Sequence, residues 1–388
     1  MKILLIGNGF DLYHNLPTKY SNFINTVNFL IKDYSDDMET VGDVFGNQKL
    51  FNIDSDIKND FITHKDIFCQ TPLYSDKVKM LIEKGQKNHW FKLLSKFVSL
   101  NKGWIDFEKV IKQVLSAFSS IPDRLGYASM INFHEFLSHE EMFYVSSFDI
   151  FSEIQSFMVN ANMDYFEQLI PGSNVRVLSK EKVAHALFLS LKEFATMLQL
   201  YLECFIEIPL DKMNEVNYAA KNENFSDADF VVTFNYTNTF EKLYYGAEQI
   251  FHIHGKIYEE IILGVNPDES DDGESIDTTF LEFKKYYQRV YLKTDMGYTS
   301  WKRTLRNNLR LNPDRELIVA GHSLDITDRD IICEMFGLAT RIKIYCHSRQ
   351  AVGGYIKNLV AIFGKSNFDV LREEKRIEFL FYEEIAWG

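Results

Sequence analysis

The sequence predicts an α/β fold: a mainly parallel, Rossmann-like sheet with a large helical insertion after the first βα unit. Three observations predict it. Residues 2–6, Lys-Ile-Leu-Leu-Ile, form an apolar run too short for a helix and are followed at once by Gly7-Asn8-Gly9. From Asp229 onward, short apolar and β-branched runs alternate with helical patterns. Between these two regions the apolar residues recur mostly at helical spacing. Residues 1–31 and 226–388 are therefore assigned to one α/β layer, with 32–225 as a mostly helical insertion.

The first strand leads into a turn where two glycines, one residue apart, let the backbone approach a neighbour with no Cβ in the way. A helix starting near Phe10 would aim free N–H groups into that turn and favour an anion there. A full dinucleotide fingerprint has a third glycine where this chain has Leu12, so a phosphate site and a plain strand–turn–helix corner both stay open on these residues. Tyr20, Phe23, Ile24, Val27, Leu30 and Ile31 then recur at helical spacing. Residues 32–66 are polar, with scattered Gly, Asn and Asp, and read as a variable loop with short turns. Residues 76–100 read as one amphipathic helix with Trp90, Leu93, Leu94, Phe97 and Val98 on one face, broken by Lys102 and Gly103. The next helix opens at Trp104-Ile105-Asp106-Phe107-Glu108, with Asp106 as cap and Glu108 in the first turn; an active-site role for Glu108 is the alternative. Residues 133–157 read as partly helical, 172–177 as a break, and 181–205 as a long helix with the stripe Val183, Leu187, Leu191, Phe194, Leu198 and Tyr201.

The second strand of the layer is predicted over 230–234, ended by Asn235-Tyr236-Thr237-Asn238, with a short helix over 239–245. Residues 249–254 read as a strand stopped by Gly255, residues 261–263 as a third short run, and 268–274 as an acidic, solvated loop. Residues 279–309 are helical in pattern. Glu316–Ala320 is a buried-type strand ending in Gly321-His322-Ser323-Leu324, with Asp325 and Asp328 as caps of the helix over 325–336. Arg341–Cys346, a helix over 355–363 and Ile377–Phe381 complete the alternation. Ligands of such sheets sit at the carboxyl ends of the strands, near the topological switch. Gly7 to Asp11, Asn235 to Thr237, Gly321 to Ser323 and His254 all fall at such ends.

Composition narrows the function classes. The 33 Phe and 20 Tyr supply a substantial core. The net charge of −13, from 42 basic and 55 acidic residues, weighs against a general nucleic-acid binder. Cys69, Cys204, Cys333 and Cys346 form no C-x-x-C pair, so neither a zinc ribbon nor a disulfide framework is indicated and a reducing cytoplasm is expected. No signal peptide or bilayer-spanning run is evident, so no membrane partner is expected.

Five spaced motifs resemble the AbiH family, bacterial proteins linked to abortive infection against phage. They are Gly-Asn-Gly-Phe-Asp at 7–11 with Leu16-Pro17-Thr18 and Tyr20; residues 104–108; Thr233-Phe234-Asn235-Tyr236-Thr237; His252-Ile253-His254-Gly255; and Gly321-His322-Ser323-Leu324-Asp325. More distantly, the same segments are similar to the sirtuin (SIR2-like) fold. Gly7, Gly9, Leu16 and Pro17 match its G-A-G-x-S and G-I-P spacing, Thr233 to Thr237 its T-Q-N-x-D, His254-Gly255 its H-G-S, and Gly321 to Leu324 its G-T-S-L. The chain departs from it at Asn15, Tyr20 and Thr237 and lacks the four-cysteine zinc module, which counts against deacylation more than against NAD binding.

The resemblance implies NAD as substrate, cleaved to nicotinamide and ADP-ribose, with no metal. It implies Asn235 and His254 as catalytic residues, and Gly7, Asn8, Gly9, Phe10, Asp11, Thr233, Gly321 and Ser323 as the residues that hold the dinucleotide. Breaking the nicotinamide–ribose bond passes through an oxocarbenium-like state. An amide could hold water or a ribose hydroxyl, and an imidazole could take a proton. Packed or turn-forming roles for Asn235 and His254 are the alternatives, and His14 and His322 read as structural or peripheral. His252 and His254, two apart on a strand, would share a face and could form a metal pair lacking a third ligand. A non-catalytic nucleotide-binding sensor or assembly module and, less favoured, a metal-dependent nuclease are the competing functions. The phage trigger and any homo-oligomer are left open, as is autoinhibition by the insertion.

Overall fold

The run Lys2–Ile6 does become the central strand, and its burial on both faces explains why it is apolar throughout. The computed structural model describes residues 1–100, 106–122, 125–126, 135–148, 151–155, 158–161, 163–215, 223–244, 247, 249–266, 278–309 and 311–382. Trp104 and Ile105, the break at Lys102 and Gly103, and the acidic loop 268–274 lie outside these residues. The strands among the described residues are β1 (Lys2–Ile6), β2 (Phe151–Gln155), β3 (Met158–Ala161), β4 (Phe166–Gln168), β5 (Arg176–Leu178), β6 (Phe230–Thr233), β7 (Gln249–His252), β8 (Glu316–Ala320), β9 (Arg341–Cys346) and β10 (Ile377–Phe381).

Six of them make one sheet in the order β10-β9-β8-β1-β6-β7, parallel throughout, as a Rossmann-like α/β fold requires. β1 is its middle: Leu5 lies between Val319 and Val232, and Ile6 between Ala320 and Thr233. Successive side chains alternate between the two faces. Leu4 and Ile6 join a core with Phe23, Trp90, Phe194 and Tyr201, while Ile3 and Leu5 join one with Leu317, Ile332 and Leu359. The chain steps outward from β1 through β6 to β7 on one side and from β8 through β9 to β10 on the other. The switch in strand order therefore falls at β1, where the carboxyl ends open a crevice.

Between β1 and β6 the chain is mostly helical, with two antiparallel ribbons, β2–β3 and β4–β5, that the sequence reading missed. Those strands are three to five residues long, too short to show a period, and the break at 172–177 spans part of the β4–β5 connection and the start of β5. The expected loop over 32–66 is instead a string of helices: Val41–Phe45, Gln48–Ile53, Ser55–Thr63 and the start of Lys65–Gln70. Its polar residues are caps. Thr40 accepts from the Asp43 N–H, Asn47 from that of Lys49, and Asp54 from those of Asp56 and Ile57. The helix expected over 76–100 is two, Ser75–Lys87 and His89–Leu100, divided at Asn88. The Asn88 Oδ1 accepts from the Phe91 N–H and its Nδ2 donates to Ser190 O. The long helix Lys180–Leu202 closes on the core, where Tyr201 donates to Pro17 O at 2.6 Å and Trp90 donates its indole N–H to Leu187 O at 3.0 Å. It continues as a π-helical segment, Glu203–Glu207, and the helix Ile208–Glu215. Residues 261–263 form no strand, and the pattern over 279–309 resolves into Leu281–Phe283, Lys285–Tyr291 and Thr294–Leu309. No helix among the described residues is long and apolar enough to cross a membrane.

Candidate functional site

The turn after β1 is laced to the turn after β8. The Gly7 N–H donates to Ala320 O at 3.2 Å and the Gly9 N–H to Gly321 O at 2.8 Å, while the Phe10 N–H returns to Gly7 O. A Cβ on Gly9 would lie 2.8 Å from the Gly321 Cα, and one on Gly321 would lie 2.0 Å from the Phe10 nitrogen. Gly321 also holds φ at +71°. The helix starts at Asn8, earlier than the sequence suggested, and is only six residues long. The expected row of ligand-facing N–H groups is thus largely spent on the protein itself. The glycines are demanded first by turn-to-turn packing.

A cleft of about 240 Å³ opens at this junction. Eight of the ten expected site residues line it: Gly7, Asn8, Gly9, Asp11, Asn235, His254, Gly321 and Ser323. Phe10 and Thr233 do not. Phe10 is buried among His14, Phe225, Phe240 and Tyr244, and Thr233 ends β6 with its Oγ1 accepting the Asn235 N–H at 3.1 Å. Their places follow from side-chain direction, which a motif does not encode.

The loop carrying Asn235 is pinned from behind. Glu207, fully buried in the π-helical segment, accepts from the Asn238 N–H at 2.7 Å and the Asn238 Nδ2 at 3.1 Å, and pairs with Lys242 at 2.7 Å. His252 Nδ1 donates to Asn235 O at 2.9 Å, and its Nε2 lies 2.7 Å from Glu241 Oε1. His254, past the end of β7, faces Asp328 instead. The two histidines therefore do not share a ligand, because the strand and its two-residue period end between them. No group of three or more His, Cys, Asp or Glu suited to a metal occurs among the described residues.

The cleft's charged floor escaped the sequence reading. Asp328, expected as a helix cap, makes no capping hydrogen bond; Asp325 does, to the Thr327 N–H. Asp328 instead gathers His254 Nε2 at 3.6 Å, His322 Nε2 at 3.4 Å and Lys285 Nζ at 3.4 Å, and Lys285 reaches Glu108 at 2.6 Å. Burial alone would raise the Asp328 pKa, but Lys285 and the histidines hold it well below the usual carboxylate range. Burial, reinforced by Lys285, holds His254 well below an ordinary imidazole, so it is neutral near pH 7. Burial would lower Lys285, but Asp328 and Glu108 keep it raised. The Phe234 ring lies between the two histidines, 5.4 Å from His254 and 4.2 Å from His322. His322 is therefore part of the cleft and not peripheral. Glu108 had a signal, its place in a quoted motif; Lys285 and Asp328 had none.

Two buried carboxyl oxygens of cleft-lining residues lack hydrogen-bond partners among the described residues, Asp11 Oδ1 and Glu108 Oε2. Asp11 is 1% exposed and accepts from Thr237 Oγ1 at 2.7 Å. Burial pushes its pKa up to about 7 against that hydrogen bond. Glu108 is likewise raised by burial, against Lys285. Such a site can accept hydrogen bonds from hydroxyls, stabilise a developing cation, and take up a proton on a neutral imidazole.

No curated protein and no solved structure matches the chain. The family described as bacteriophage abortive infection AbiH matches residues 3–344, nearly the whole of the 388-residue chain. The chain thus belongs to the AbiH family, whose role is abortive infection against bacteriophage.

Proposed function

We propose that this chain is an NAD-consuming hydrolase that releases nicotinamide and ADP-ribose as the effector of abortive infection. One observation carries the reading: the Asn235 amide, a neutral His254 and the carboxyl-bearing Asp11 and Glu108 line one cleft at the carboxyl ends of β1, β6 and β8. The leaving group is a cationic pyridinium, so it departs without an acid, taking the electron pair of the ribose–nitrogen bond. The ribosyl cation is stabilised by Asp11 and Glu108. Asn235 holds the attacking water and His254 accepts its proton as the new C–O bond forms. Asp328 positions His254 and Lys285 without touching substrate.

The test is incubation of the purified protein with NAD, alone and with phage lysate, with nicotinamide measured by chromatography. Turnover in the wild type and a fall of at least a hundredfold in both Asn235→Ala and His254→Ala is expected. No nicotinamide under either condition would remove the reading. The small volume of the cleft favours one alternative, a sensor or assembly module that binds a nucleotide and releases no product. It predicts NAD or ADP-ribose binding with no turnover.

A further inference from the structure

The cleft is too small for the whole molecule it is proposed to cleave. At about 240 Å³ it falls below the roughly 300–1,000 Å³ of ordinary ligand pockets. The backbone N–H groups of Gly7, Gly9 and Phe10, which a pyrophosphate at this turn would need, are already used within the protein.

Beside it lies a groove of about 720 Å³, and Lys19 and Ser21 line both. One wall is the helix Tyr20–Asp33, on which Ser21, Asn25, Asn28 and Lys32 succeed one another every three or four residues. They therefore share one side of the helix, over about 16 Å. The opposite side of that helix buries Phe23, Val27 and Leu30. Ser95 and Ser99 face the groove from the helix His89–Leu100. The groove's carboxylates are occupied. Asp54 accepts from the Asn22 and Asn25 amides and from the N–H groups of Asp56 and Ile57, and Asp56 pairs with Lys19 at 2.5 Å. Lys32 makes no ion pair among the described residues.

We infer that this groove is a nucleoside-diphosphate subsite: the adenosine and phosphates lie along the face from Ser21 to Lys32, and only the ribose bearing the cationic ring enters the cleft. Lys19 stands at the junction and, while keeping Asp56, has ammonium N–H groups to give a phosphate oxygen as a further partner. What fills the cleft rests on the NAD reading; the groove's own ligand class does not.

The experiment is calorimetric titration of ADP into the full chain, its Lys32→Glu and Asn28→Trp variants, and Asn235→Ala. ADP binds the wild type and Asn235→Ala alike, and at least tenfold more weakly to both groove variants. Lys32 is exposed, so K32E keeps the fold whatever the fate of N28W, whose melting curve is recorded alongside. No ADP binding to the wild type, or equal binding to the groove variants, overturns the inference. NAD turnover is scored separately. Cleavage with KM unchanged in the groove variants removes the subsite and leaves the hydrolase, whereas ADP in the groove without NAD cleavage keeps the subsite and removes the hydrolase.

Discussion

Asp11→Asn is expected to stabilise the protein, by an amount that grows as pH rises from about 4 through about 7. The side chain is 1% exposed, with one oxygen bonded to Thr237 and the other unpartnered. Burial raises its pKa from 3.8 to about 7. A folded-state pKa above the unfolded value contributes stability that is fully present below the unfolded pKa and is lost as pH rises through the folded one. At about 1.4 kcal/mol per unit, ionised Asp11 costs the fold up to ~4 kcal/mol at pH 8 relative to pH 4. An asparagine does not titrate, keeps an oxygen for Thr237, and places an uncharged amide where Oδ1 stands. The variant should exceed the wild type by up to ~4 kcal/mol at pH 8 in urea denaturation, with the gap closing toward pH 4. For a chain of this size that is a rise of about 5 °C in Tm. NAD cleavage should fall in the same protein, since a group held against its solvation preference is retained for function. Equal gaps at both pH values, or a less stable variant at pH 8, would refute the assignment of Asp11 as a buried, partly unsatisfied carboxyl.

Asp328→Asn carries the opposite sign. Its depressed pKa contributes stability above the unfolded value that is lost as pH falls through the folded one, and removing the charge leaves Lys285 with Glu108 alone. A loss of roughly 3–5 kcal/mol at pH 7 is expected. Lys285→Met with Asp328→Asn should cost at least ~1 kcal/mol less than the two singles summed, measured as a double-mutant cycle in urea. Gly9→Ala drives a Cβ to within 2.8 Å of Gly321 backbone and should cost about 1–3 kcal/mol, read from the denaturation midpoint. Gly321→Ala should cost more, because it adds the strain of φ +71° to a closer clash.

The loop after β6 gives a measure of what a motif can and cannot say. Thr233 through Thr237 stand together in sequence, yet Asn235, Tyr236 and Thr237 line the cleft while Thr233 orients the loop from behind. Asp325 and Asp328 look like equivalent caps in the chain. Only Asp325 caps, because the next turn carries Asp328 beneath His254 and His322.

The parallel layer and the strand ends that bear the site follow from local information: short apolar runs, glycine punctuation and the alternation of strand with helix are written in neighbouring residues. The helices over 41–70 were hidden because their first residues, Thr40, Asn47 and Asp54, look the same as loop residues until the N–H groups they cap are in view. The ion network of Glu108, Lys285 and Asp328 joins residues more than 170 positions apart in the chain to others only 43 apart, and the cost of burying such charges is met only when all three meet. Packing at the sheet's switch point makes that meeting, and it also decides which oxygens of Asp11 and Glu108 are buried without a hydrogen-bond partner among the described residues.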